Sequence, residues 1–139
     1  MSPRHHHDPK VDQLSDLDLF RHCTRSELEG IAEICTEVQL GQGRVVVRQG
    51  EFEYEFFVIV EGDASVDVDG EHIAKLGRGT FFGEQALISH GARNATVTAM
   101  TPLRALVFNR AEFNTMMRNA PHAASDMMEE ISRRVNETS

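Results

Sequence analysis

A chain of 139 residues is long enough for one domain with its own hydrophobic core and short for two. With 40% hydrophobic and 26% charged residues its composition is globular, and no apolar run approaches the roughly 20 residues a membrane span needs. The formal net charge of -8, from 14 basic and 22 acidic residues, argues against direct nucleic-acid binding. It also means that any anionic ligand must be held by local positive groups, such as a buried arginine or a helix N-terminus.

In chain order, residues 1–13 read as a flexible polar tail containing His5, His6 and His7, without the apolar core of a secretory signal. The expected setting is cytoplasmic. Leu14, Leu17 and Phe20 recur every third residue, which predicts a short helix or helical turn. Thr24 to Glu27 has the spacing of a capping box, and Leu28, Ile31, Ile34 and Cys35 follow at helical intervals. Residues 14–36 are therefore expected to be helical. Cys23 and Cys35 form no CxxC pair and read as small core residues of a reduced protein, and no metal set is expected.

Between residues 37 and 109 the period changes. Val45–Val47, Phe56–Val60, Val66–Asp69 and Thr96–Thr98 are β-branched, aromatic or alternating, and glycines punctuate them. Short strands between glycine turns predict an antiparallel sandwich or barrel, with Glu53–Val60 the segment expected to be buried on both faces. Helical periodicity returns with Asn109 as N-cap and Glu112 three residues on, then Phe113, Met116 and Met117 on one face. Pro121 marks the start of a last helix whose apolar face is Ala124, Met127, Met128, Ile131 and Val135. The expected architecture is mainly β: an antiparallel, jelly-roll-like β-roll with N-terminal helices and C-terminal helices over 110–139.

The stretch that carries chemistry runs from Gly79 to Thr96. It reads as a strand ending in glycine, a one-turn helix near Gly83, a small polar loop, and a strand opening with Arg93. Helix N-terminal amides and one arginine then converge on a hollow that suits a singly charged phosphate diester. Gly83 removes the side chain that would keep an anion away, and Glu84 can accept a hydrogen bond from a sugar hydroxyl. Phe81 and Phe82 read as core anchors.

Phe82-Gly83-Glu84-Gln85-Ala86-Leu87 and Arg93-Asn94-Ala95-Thr96 resemble the phosphate-binding cassette of the cyclic nucleotide-binding domain family. Arg48-Gln49-Gly50-Glu51 and Phe57–Gly62 resemble other turns and strands of that family. The resemblance implies a sensor for cAMP ahead of cGMP, with no further cofactor; no enzymatic activity is expected, because the cassette holds no nucleophile and base, metal set or paired acid and base. It implies that Glu84 holds the ribose 2'-hydroxyl, that Arg93 pairs with the cyclic phosphate, and that Gly83 and the amide of Ala86 donate to phosphate or ribose. Ala95 would leave room beside sugar and base. Gln85 departs from the usual apolar residue, and Asn94 stands where the family distinguishes guanine from adenine. The last helix would act as a lid through Met127, Met128 and Ile131, signal to a protein effector, and offer a face that could pair two chains. The other readings are a degenerate fold kept as an interaction module and the sensor fragment of a catabolite-activator-type transcription regulator.

Overall fold

The computed structural model describes residues 9–84, 87 and 91–138, with side chains described as far as Arg134. The chain divides into two compact units, one reaching to Ile34 and resuming at Asn114, the other spanning Cys35–Phe113.

The helical unit contains α1 (Pro9–Ser15), a 3-10 turn (Asp18–Phe20), α2 (Arg25–Ile34), the end of α3 (Arg110–Asn119) and α4 (Pro121–Thr138). The expected flexible tail is corrected over residues 9–13, where α1 starts at Pro9 and buries Val11 as completely as Leu14; residues 1–8, with His5, His6 and His7, lie outside the described residues. Proline is at home in the first turn of a helix, where its missing N–H has no partner to lose. The three-residue spacing of Leu14, Leu17 and Phe20 produces buried residues throughout. The capping box at Thr24 is formed in both directions: Glu27 N donates to Thr24 Oγ1 at 3.1 Å, and Thr24 N donates to Glu27 Oε1 at 2.7 Å. Burial pushes the Cys23 thiol up to about 11, with Glu27 adding to the rise. It is therefore protonated and weakly nucleophilic at neutral pH.

Glu27 carries a second bond, to His122 Nδ1 on α4 at 2.9 Å. Burial alone would raise its pKa, but the Thr24 amide and His122 outweigh that and hold it below its ordinary 4.5. A carboxylate with a depressed folded pKa contributes stability that is complete above the unfolded value and is lost as pH falls through the folded one. Glu27→Gln is therefore expected to melt below the wild type at neutral pH, with the gap closing as pH drops under 4.5. Thermal melts of both proteins across that range check it, and a gap independent of pH contradicts it.

In the β unit, eight strands are present among the described residues: β1 (Thr36–Leu40), β2 (Val45–Val47), β3 (Phe56–Glu61), β4 (Ala64–Val68), β5 (Glu71–Leu76), β6 (Phe81–Phe82), β7 (Thr96–Ala99) and β8 (Leu103–Phe108). They form two antiparallel sheets, ordered β1-β8-β3-β6 and β2-β7-β4-β5. One core cluster gathers Phe57, Ile59, Phe82, Ala105 and Val107 from the first sheet with Val47, Ala64, Val97 and Ala99 from the second. Alternation places Phe56 on the opposite face of β3. There its ring lies 5.6, 5.7 and 5.0 Å from those of Phe81, Phe108 and Phe113.

β3 is buried from Phe56 to Val60, as its apolar run predicts. Glu53, Tyr54 and Glu55 lie outside the strand, so the doubly buried segment is shorter than the sequence pattern suggests. Two acidic residues could not be buried there without partners. The Asn109 cap forms with Glu112 as expected, both bonds being 2.8 Å.

Candidate functional site

The phenylalanine pair of β6 fixes the start of the cassette from both sides. Phe82 stacks on Phe57 at 4.8 Å and 9° in the core between the sheets, while Phe81 enters the aromatic cluster on the other face. Both are buried. The chain then turns at Gly83, whose φ of +96 disfavours any side chain. Space enforces the same choice. A Cβ on Gly83 would lie 2.4 Å from the Glu55 carbonyl oxygen and 2.9 Å from Arg93 Nη1.

Arg93 is 5% exposed, and with Glu84 it is one of the two buried charged residues among those described. Its Nη1 donates to Gly83 O at 3.0 Å and its Nη2 to Glu55 O at 2.7 Å. The main chain at residue 93 is bracketed as well: Arg93 N donates to Glu51 O and Gly50 N to Arg93 O, both at 2.8 Å. Burial pushes the guanidinium below its ordinary value, and Glu53, Glu55 and Glu84 pull it back up. An arginine remains charged under such a shift. Two of its five N–H donors are committed to carbonyls, and its Nε, also buried, has no hydrogen-bond partner among the described residues.

The structure thus brings Gly83, Glu84 and Arg93 together and adds Glu55, whose carbonyl also accepts from Arg93. Glu84 and Leu87 are helical and buried. Gln85 and Ala86 lie outside the described residues. Asn94 is exposed, and Ala95 is half-buried. Of the proposed lid residues, Met127 is fully buried, Met128 is 50% exposed and Ile131 is intermediate. The Glu55 carbonyl was invisible to sequence reasoning, because a main-chain acceptor is set by path and leaves no residue signature. A cavity of about 390 Å³ is lined by Val38, Val46, Glu55, Phe57 and Glu112 among others; it shares Glu55 with the Arg93 cradle and includes no residue of Gly79–Thr96. No helix is long and apolar enough to cross a membrane among the described residues.

A buried, fixed cation beside a glycine that admits no side chain is the arrangement of an anion-binding cradle. The family model for the cyclic nucleotide-binding domain matches residues 37–120. The cAMP-dependent protein kinase regulatory subunit of Schizosaccharomyces pombe is 36% identical over 80% of this chain and 26% of its own length. A cGMP-dependent protein kinase of Caenorhabditis briggsae is 30% identical over 80% of this chain and 16% of its own. This chain therefore spans about a quarter or less of these two relatives. Among solved structures, the regulatory domain of Toxoplasma gondii PKA with cAMP superposes with a TM-score of 0.77 at 23% identity, over 93% of this chain and 49% of that one. That likeness confirms the β-roll with flanking helices. On its family match and its relatives, the chain belongs to the cyclic nucleotide-binding domain family.

Proposed function

We propose that the chain is a cytoplasmic sensor that binds cAMP in preference to cGMP and passes occupancy to a protein effector through movement of its C-terminal helix. The role is binding, without catalysis. One observation carries this reading: the 5% exposed Arg93 is held by neutral carbonyls beside Gly83. Carbonyls orient a buried cation but do not cancel its charge; the carboxylates of Glu53, Glu55 and Glu84 offset part of it, and a singly charged cyclic phosphate would add a direct partner. The cAMP-dependent relative supports adenine, and the cGMP-dependent one makes base choice a matter for measurement.

In this reading Glu84 accepts a hydrogen bond from the ribose 2'-hydroxyl, and the roles at Gly83 and Ala86 are those the family resemblance implies, donation to phosphate or ribose. Ala95 leaves room for sugar and base. Asn94 offers both donor and acceptor, so it discriminates weakly between bases. The helix bearing Met127, Met128 and Ile131 is the switching element, responding to ligand by its different affinity for two arrangements.

The test pairs residue with hydroxyl. A 2'-deoxy analogue of cAMP is expected to bind the wild type about tenfold more weakly than cAMP, and to be nearly indifferent to Glu84→Ala. Isothermal titration of both ligands into both proteins completes the double-mutant cycle and cancels general damage to the fold. Additive losses would remove Glu84 from the ribose.

A further inference from the structure

Gln49 precedes the glycine that bonds Arg93, and its own bonds run to two other segments. Its backbone N–H donates to Thr96 Oγ1 at 3.0 Å. Its side chain closes a reciprocal pair with Asp69: Nε2 donates to Asp69 Oδ1 at 2.9 Å, and Asp69 N donates to Gln49 Oε1 at 2.8 Å. Asp69 has a φ of +54, the one positive value among described non-glycine residues, and Gly70 follows at +83. Two successive positive φ values make the two-residue turn of a tight hairpin, here between β4 and β5.

These bonds join three pieces of chain. The hairpin tip is tied to the Gln49 side chain, the Gln49 main chain to Thr96 at the start of β7, and the next two residues to both sides of the Arg93 peptide. A side chain exposed to water gains little from a single hydrogen bond. Two bonds that satisfy both ends of one amide fix its direction, and with it the turn on which Gly50 and Glu51 sit.

We infer that Gln49 is a positioning residue for Arg93: its amide locks the β4–β5 turn to residues 48–51, whose main chain holds the phosphate-binding arginine in place. The ligand half of this inference rests on the role proposed for Arg93. The alternative is that the Gln49–Asp69 pair serves hairpin stability alone, and the two differ in what happens at residue 93.

Gln49→Glu keeps the acceptor for Asp69 N but sets a carboxylate against Asp69 Oδ1. Asp69→Asn tolerates the same left-handed backbone and supplies a donor, so the double variant rebuilds the pair with its polarity reversed. In the unliganded protein, exchange of the Arg93 amide hydrogen should quicken about tenfold in Gln49→Glu and return towards wild type in the double variant. Titration with cAMP should show about tenfold weaker binding in the single variant and recovery to within about threefold in the double. If Gln49→Glu does not fold, Gln49→Met takes its place and should show both single-variant losses. An unchanged Arg93 amide, an unchanged affinity, or additive losses in the double variant would each overturn the inference. A wild type that binds neither cyclic nucleotide would instead overturn the proposed function, while amide exchange still decides whether Gln49 positions residue 93.

Discussion

Arg93→Ala is expected to weaken cyclic nucleotide binding by at least about a hundredfold. Each hydrogen bond between a charged donor and its acceptor contributes about 1.5–3 kcal/mol, so losing two to a phosphate removes about 3 kcal/mol or more. The substitution also strips Gly83 O and Glu55 O of the donors at 3.0 and 2.7 Å. A buried carbonyl left unsatisfied costs about 1–3 kcal/mol, so the variant should melt at a lower temperature too. Arg93→Lys separates the two roles. Lysine keeps a charge but lacks the planar fork that reaches two carbonyls and a ligand at once. It should recover part of the affinity and little of the stability. Titration and thermal melts on the three proteins provide the check, and an Arg93→Ala protein that is folded and binds as wild type would contradict the assignment.

Gly83→Ala should be nearly as damaging, by a different route. At a φ of +96 an L-residue is strained by about 1–3 kcal/mol. The added methyl also meets Glu55 O at 2.4 Å. That oxygen is main chain and already accepts from Arg93 at 2.7 Å, so it cannot move aside without dragging the arginine. Gly43 is the control, with a φ of +86 and nothing within 4 Å of its added Cβ. Gly43→Ala should lose stability from strain alone and keep its affinity, whereas Gly83→Ala should lose more stability and its binding. Equal melting temperatures and equal affinities in the two variants would show that the close approach at Gly83 carries no weight.

What the sequence revealed and what it hid follow from how far each signal reaches along the chain. The capping boxes at Thr24 and Asn109 are complete within four residues, and both form as their spacing implies. Phe81 and Phe82 declare themselves core by type, and Gly83 and Arg93 by a spacing that no single strand or helix explains. The helix at Pro9 was masked by polar neighbours, since Val11 is its one strongly apolar residue before Leu14. β5 is almost wholly exposed, with Ile73 at 57%, so no alternating apolar face announces it. Its pairing with β4 comes from the Asp69-Gly70 turn instead. The ties from Gln49 to Asp69 and from Arg93 to Glu55 cross 20 and 38 residues. Such contacts depend on the closed roll and cannot be seen until the two sheets face one another.

The proposed grip of the cassette on a cyclic phosphate through Arg93 is tested most directly by isothermal titration of cAMP and cGMP into the wild-type chain and into Arg93→Ala. Saturable one-to-one heat is expected for the wild type, stronger for cAMP, with its near disappearance in the variant. A folded wild-type protein that takes up neither nucleotide, or an Arg93→Ala protein that binds them equally well, would contradict it.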